Sequence, residues 1–328
     1  MALDVTYETL LREVGRHLGL AVDDGDWETE EQQLVDDIIN SGLRQFYTPP
    51  AIGGRVHRWS FMRPVTYLTT IAPYSTGTIA IAAGVVTLTS GTFPTWTSGT
   101  NSPVLTVNGV SYPVATRSSG TSITLSDTSV TVSSGASYVL SFEAFDLPST
   151  WGGMDGPLTY RPGDNSYYPP VEQKSEAWIR QRKQQYDERS RPSSYAIRPK
   201  AHDATVGARW QILFDPTPDA AYQLTYRYKA IPSELSAVNL YPLGGMEHAE
   251  TILASVMAVA EARTTESRGE RYATWMERLQ TSIAEDAQHA PPDFLGQDGI
   301  GPYLRGPYEP GIQQGAYVEY EGFTLYGP

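Results

Sequence analysis

The residues that could do chemistry are few and scattered. Five histidines, His17, His57, His202, His248 and His289, never recur at metal-ligand spacing, and packing or surface roles are the plainer reading for each. Glu247-His248 has no second histidine one turn on, so a zincin-type helix is not indicated. Asp23, Asp24 and Asp26 with Glu28 resemble a calcium loop only superficially, lacking the alternating ligand positions and the closing glutamate. A solvated, helix-capping loop is the expectation there. Asp36-Asp37 falls within a helical pattern and cannot aim both carboxylates at one ion, so it reads as an exposed face. The phosphate-cradling glycine patterns, G-x-S-x-G and H-E-x-x-H do not occur. No catalytic, cofactor-binding or metal-ligating residue is nominated, and no cofactor is expected.

Two groups of residues could instead bind partners. Arg180, Arg182 and Lys183 form a short basic run flanked by Glu172, Glu176, Asp187 and Glu188. It suits contact with a partner protein better than contact with DNA. The C-terminal stretch 290–328 is dominated by Gly, Pro and Tyr, yet carries Phe294, Tyr303, Leu304, Tyr308, Tyr317, Tyr320, Phe323 and Tyr326. Such a stretch should not fold alone. A frayed terminus is one reading; an arm that orders on a partner is the other, and the density of aromatic anchors favours the arm.

Composition narrows the classes. The chain has 328 residues, 40% hydrophobic and 19% charged, enough apolar material for a large domain and something more. Its 21 tyrosines suit half-wet contact surfaces. A formal charge of −13 opposes wrapping of nucleic acid but suits a passage through which DNA slides. With no cysteine, disulfides, thiolate catalysis and Cys-ligated zinc are excluded. A basic-then-apolar leader is not apparent after Met1, and no apolar run approaches a membrane span.

The elements that must position these residues follow from periodicity. Tyr7, Leu10, Leu11, Val14 and Leu18 mark a helix closed by Gly19. A second helix starts near Trp27 and runs to Pro49-Pro50, with Leu34, Val35, Ile38, Ile39, Leu43 and Phe46 on one side. Val56–Phe61 alternates like a strand. From about Ala72 to Phe142 the chain turns rich in Thr, Ser, Gly and Val, with short alternating runs and the hairpin signal Asn108-Gly109. Pro170 is expected to open a helix carrying Trp178, Ile179 and Tyr186. Three strand-like runs follow: Tyr195–Ile197, Arg209–Phe214 and Tyr222–Tyr228. A broadly apolar helix holds Met246 through Ala260, and Ser267-x-x-Glu270 forms a capping box for a last helix bearing Tyr272, Trp275, Met276, Leu279 and Ile283. Trp27, Trp178 and Trp275 fall on apolar helix stripes and are expected in cores.

The expected fold is therefore α+β and multidomain: a helical bundle core with a small accessory β-sheet, an inserted all-β sandwich or barrel, and an extended C-terminal arm. The boundaries are 1–71 with 143–289 for the discontinuous helical core, 72–142 for the insert and 290–328 for the arm.

The front segment Ile39-x-x-Gly42-Leu43-Arg44-Gln45-Phe46-Tyr47 with Pro49-Pro50 resembles head-to-tail adaptor (connector) proteins of tailed bacteriophages. So does the order Leu224–Tyr228, Ile231-Pro232-Ser233-Glu234-Leu235, then two helices. The insert, with Gly77-Thr78-Ile79, Gly91-Thr92-Phe93, Val107-Asn108-Gly109 and Tyr112-Pro113-Val114, is similar to a β-module of phage neck and tail proteins. The resemblance implies a structural virion protein without enzymatic activity, made in the host cytoplasm and placed at the portal vertex. Such proteins form a ring, usually of twelve copies, bound to the portal protein and to a downstream neck or tail component (stopper, terminator or nozzle). Genomic DNA passes through the lumen without sequence-specific binding, and no membrane is involved. The arm would dock on the portal or a neighbouring subunit. The rival classes are an adhesin whose β-domain grips a ligand and, behind it, a glycoside hydrolase, for which no carboxylate pair is nominated.

Overall fold

In the computed structural model, the chain is mixed α/β, with five helices and a large curled antiparallel sheet among the described residues. Described are residues 4–21, 24–52, 56–98, 103–161, 168–186, 188–201, 204 and 207–289, with the backbone of 317–320 and 323–326. The chain divides into two compact units, Met1–Pro64 with Ala230–Pro328, and Val65–Lys229.

The first unit is built on four helices: α1 (Tyr7–Leu18), α2 (Thr29–Tyr47), α4 (Gly245–Thr265) and α5 (Glu270–His289). Each end has a local cause. Thr6 caps α1 by accepting from the Thr9 amide, and Gly19, at φ 75°, closes it. The Glu31 carboxylate reaches back to the Glu28 amide at the start of α2. The helices pack around Leu10, Val14, Ile38, Ile39, Phe46, Ile252, Val256, Trp275 and Leu279, all buried. Gly42 decides how near α2 and α4 come. A Cβ there would lie 2.5 Å from the Cα of Val256, and Ser255 donates to the Gly42 carbonyl across the same crossing at 2.8 Å.

Three expectations for this unit are corrected. Val56–Phe61 forms no strand; Ser60–Met62 is a 3₁₀ turn. The Ser60 amide donates to the Asp286 carboxylate of α5, at 3.0 and 3.1 Å to its two oxygens, and Trp59 packs on Phe46 with its indole N–H on the Phe46 carbonyl. Tertiary pairing therefore overrides alternation. The Ser267 capping box does not start α5. Glu261, on α4, accepts from the amides of Gly269 and Arg271 instead, holding a carboxylate at the positive end of the next helix. Asp36 is not a plain exposed face, since its carboxylate accepts from the Tyr7 hydroxyl and ties α1 to α2.

Among the described residues the second unit holds three sheets. The largest has seven antiparallel strands in the order β7-β2-β3-β6-β5-β4-β8: β2 (Ile79–Ala82), β3 (Val85–Leu88), β4 (Pro103–Val107), β5 (Val110–Arg117), β6 (Ser122–Leu125), β7 (Val132–Ala136) and β8 (Tyr138–Phe142). Its two edge strands, β7 and β8, are joined through Ser137 alone, so the sheet must curl into a half-barrel to bring its edges near each other. Ile79, Ile81, Leu105, Ile123, Leu125 and Leu140 fill the concave side. Asn108 and Gly109, both at positive φ, make the β4–β5 turn that their sequence demands.

A second sheet joins β1 (Val65–Thr69), β15 (Gln223–Ala230), β10 (Trp151–Met154) and β11 (Thr159–Tyr160). The third joins β12 (Glu172–Gln173), β13 (Ser194–Pro199), β14 (Trp210–Asp215) and β9 (Ala144–Asp146). On the latter packs α3 (Glu176–Gln185), through Ile179 against Ala144, Ala196 and Leu213. Pro170 does not open this helix. Glu172–Gln173 first pairs in parallel with β13, and Ser175 then caps α3 by accepting from the Trp178 amide.

Candidate docking surfaces

From the end of β15 into the first turn of α4 the chain runs over the surface of the helical unit as a ledge, Ile231 to Met246. Its backbone is pinned at three places. Asn40 accepts from the Leu235 amide at 2.9 Å and donates to the Leu235 carbonyl at 3.4 Å. The Tyr47 hydroxyl accepts from the Leu243 amide at 2.8 Å and donates to the Leu243 carbonyl at 3.2 Å. The Tyr7 amide donates to the Leu240 carbonyl at 2.8 Å. Burial pushes the Tyr47 phenol far above its ordinary range, so it stays protonated and keeps its donor. Asn239 adds a local lock, its side-chain amide donating to the Glu234 carbonyl.

With its main chain so engaged, the ledge turns large apolar side chains outward. Val238 is 94% exposed, Tyr241 56% and Met246 54%, and Leu240 and Leu243 are also exposed. Scattered exposed hydrophobics are ordinary; several within one short ordered segment make it the candidate for a surface that partners cover. Sequence reading missed this segment, because Met246 reads as part of the broadly apolar helix that runs to Ala260 and the rest has no period. The available signal was an apolar run, Ile231 to Leu243, broken by Pro232 and Pro242 and ended by Gly244-Gly245, which can sustain neither helix nor strand.

The basic run of α3 stands differently. The Nε of Arg182 lies 2.8 Å from Asp215, whose side chain is buried, and its guanidinium sits 5.7 Å from both the Trp178 and Tyr186 ring centres. Burial raises the Asp215 pKa, and the cations of Arg182 and Lys183 pull against that rise. Arg180 is exposed, 3.6 Å from Glu176. Trp178 is 39% exposed and not a core residue, which corrects the expectation for that helix; Trp275 is buried as expected, and Trp27 packs at the edge of the core with its indole N–H on Ala21.

Of the arm residues, Phe294, Tyr303, Leu304 and Tyr308 lie outside the described residues. Tyr317 and Tyr320 fall on β16 (Tyr317–Tyr320), and Phe323 and Tyr326 on β17 (Phe323–Tyr326), two strands paired antiparallel.

The helical unit also gathers serine, histidine and carboxylate side chains. Asp286, 1% exposed, accepts from His57 at 2.7 Å and from the Ser60 hydroxyl, while His248 pairs through Nδ1 with Ser282 one helical turn away on α5. The carboxylate thus orients one imidazole and the serine meets another, and Trp59, Phe46 and Phe61 close around His248. Burial lowers the His248 pKa, with Asp286, Glu247 and Glu285 opposing it. What this arrangement does chemically is clamp the 57–62 segment and α4 onto α5. Among the described residues no cluster of potential metal ligands occurs, and no helix is long and apolar enough to cross a membrane. A shallow groove lies along Val65, Thr66, Tyr67, Gln223 and Thr225 of the β1–β15 sheet and Arg161, the residue that follows β11. In the seven-stranded sheet Phe93, Tyr138 and Phe142 are buried, and Tyr74, Trp96 and Tyr112 pack half-buried against the core. No family model and no curated protein matches the chain.

Proposed function

We propose that this chain is a structural virion protein, a head-to-tail adaptor that assembles as a ring beneath the portal, extends the DNA channel and joins capsid to tail. Twelve copies is the number that the resemblance implies. The observation that carries the reading is the ledge: an ordered segment whose backbone is hydrogen-bonded inward and whose apolar side chains are bare in the single chain. That is the state of a subunit awaiting a neighbour. The acidic balance supports a lumen that does not hold DNA. In this reading the helical unit builds the ring, the half-barrel is an accessory module inserted between the two halves of the chain, and the extended arm with Phe294, Tyr303, Leu304, Tyr308, Tyr317, Tyr320, Phe323 and Tyr326 docks on the portal or a neighbouring subunit. The downstream face meets a further neck or tail protein. The test is imaging of the purified chain mixed with portal complexes. A ring of this protein on the portal supports the proposal; portals left bare at saturating protein refute it.

A further inference from the structure

We infer that the free edge of β1 is a docking site for an extended, acidic segment of a partner protein, which adds to the sheet as a further strand. The site belongs to the second unit and not to the ledge, and it stands whether or not the chain forms a ring.

Hydrogen-bond parity fixes which way that edge faces. Just past β1, the Thr70 amide donates to the Tyr222 carbonyl at 2.9 Å, so Thr70, and with it Leu68 and Thr66, turns its main chain toward β15. The far side of β15 gives the same answer, since the carbonyls of Gln223 and Arg227 accept from the amides of Arg161 and Asp155. The amides and carbonyls of Val65, Tyr67 and Thr69 therefore point out of the sheet, where among the described residues no strand pairs with β1. The other edges of the second unit's sheets are closed, broken or short. Tyr74 bridges β8 at Leu140, β7 and β10 contain glycine, and β9, β11 and β12 have three residues or fewer. β1 has five, Val65 to Thr69, with no charge, glycine or proline to deter a further strand.

The charges beside the edge select what the added strand carries. Burial alternates along both strands, so Val65, Tyr67 and Thr69 share an exposed face with Arg227, Thr225 and Gln223 opposite them. Val65 is 67% exposed and Tyr67 65%. Lys229 continues this face on β15, and Arg161 lines one groove with Tyr67. Arg227 is paired with Asp155 at 2.8 Å. Among the described residues no carboxylate pairs with Lys229 or with Arg161, which donates to the neutral Gln223 side chain. In a chain of net charge −13 this is a local surplus of cations, and it favours a segment with acidic side chains. Such a segment alternates: its apolar residues extend the face of the buried Leu68, and its carboxylates lie on the face of Tyr67.

The test uses the full-length protein and a short fluorescent peptide that alternates valine and glutamate, read by polarisation. Saturable binding is expected, about tenfold tighter than for the valine–lysine counterpart. Methylating one alternating set of the peptide's amides should abolish binding and methylating the other set should spare it, because only one set faces β1. Exchange of the Val65, Tyr67 and Thr69 amides should slow in the complex while that of Leu68 stays unchanged. Tyr67→Pro deletes an outward amide without removing a bond to β15 and should weaken binding about tenfold. Arg161→Glu with Lys229→Glu should reverse the preference between the two peptides. The inference is overturned if the valine–glutamate peptide does not bind up to about 1 mM, if the lysine peptide binds as tightly, if the two methylated peptides bind alike, or if protection falls outside β1. A dimer of the protein alone that Tyr67→Pro abolishes also overturns it, since the edge would then belong to a second copy.

Discussion

The ledge and helix α3 both place large apolar groups at the surface, yet they solve the exposure differently. On α3 the exposed rings of Trp178 and Tyr186 flank the Arg182 guanidinium, which itself is spent on Asp215. The aromatic surface is thus partly covered by a cation drawn from the same helix. On the ledge no described cation lies over Tyr241, and the hydrogen bonds that order the segment leave its side chains bare. Exposed aromatics alone do not identify a docking surface; what matters is whether their own chain already supplies the cover.

That contrast can be broken or sharpened by substitution. The largest effect is expected at α3. Arg182→Ala leaves the buried Asp215 carboxylate without its closest cation and should cost about 3 kcal/mol in denaturant unfolding near neutral pH. Asp215 already has a raised pKa. A raised folded-state value gives stability that is present in acid and lost as pH rises through it, so the penalty of Arg182→Ala should shrink on acidification. A penalty independent of pH would mean that Arg182 acts only by packing on the two rings.

Beneath the ledge, Gly42→Ala drives a methyl into the Val256 backbone at the α2–α4 crossing and should destabilise the helical unit by about 1–3 kcal/mol, read as a lower denaturation midpoint. Tyr47→Phe removes both hydrogen bonds to Leu243 and should cost about 1–2 kcal/mol. Its diagnostic readout is faster amide exchange at Leu243, with exchange in the seven-stranded sheet unchanged.

The helical unit should also weaken in acid. His248 is held neutral by burial, its pKa below the ordinary value near 6.5. The unfolded chain then binds the proton more readily, so stability is full above about pH 6.5 and falls as pH drops below it. The melting temperature should decline from pH 7 toward pH 5, and His248→Gln should flatten that slope; an equal slope in the variant would assign it elsewhere. The smallest effect is expected at the ledge itself. Val238→Asp should change stability by less than about 0.5 kcal/mol while weakening the proposed assembly on portals.

Much of the fold was legible because its signals are local. Asn108-Gly109 could be little other than a two-residue turn, Gly19 closes α1, and the alternation from Ile79 to Phe142 matches strands observed there. Signals that lie far apart in sequence were not legible. Nothing near Gly269 announces that Glu261 will cap the next helix, and nothing in Val56–Phe61 reveals that Asp286 will claim the Ser60 amide. The ledge was hidden for a related reason: apolar residues are read as core by default, and only placement shows Val238 facing out while Leu235 faces in. Of the nominated partner residues, Arg182 proved committed within its own unit, whereas the arm tyrosines of β16 and β17 pair into a hairpin that periodicity had not suggested.

The central claim is that this chain is completed by other chains. The most direct measurement is electron microscopy of the full-length protein bound to portal complexes, with the subunits counted and the ledge inspected. The account predicts a closed ring in which additional density from a neighbouring subunit lies over Val238, Tyr241 and Met246. A protein that stays monomeric beside bare portals, with that surface uncovered, would contradict it.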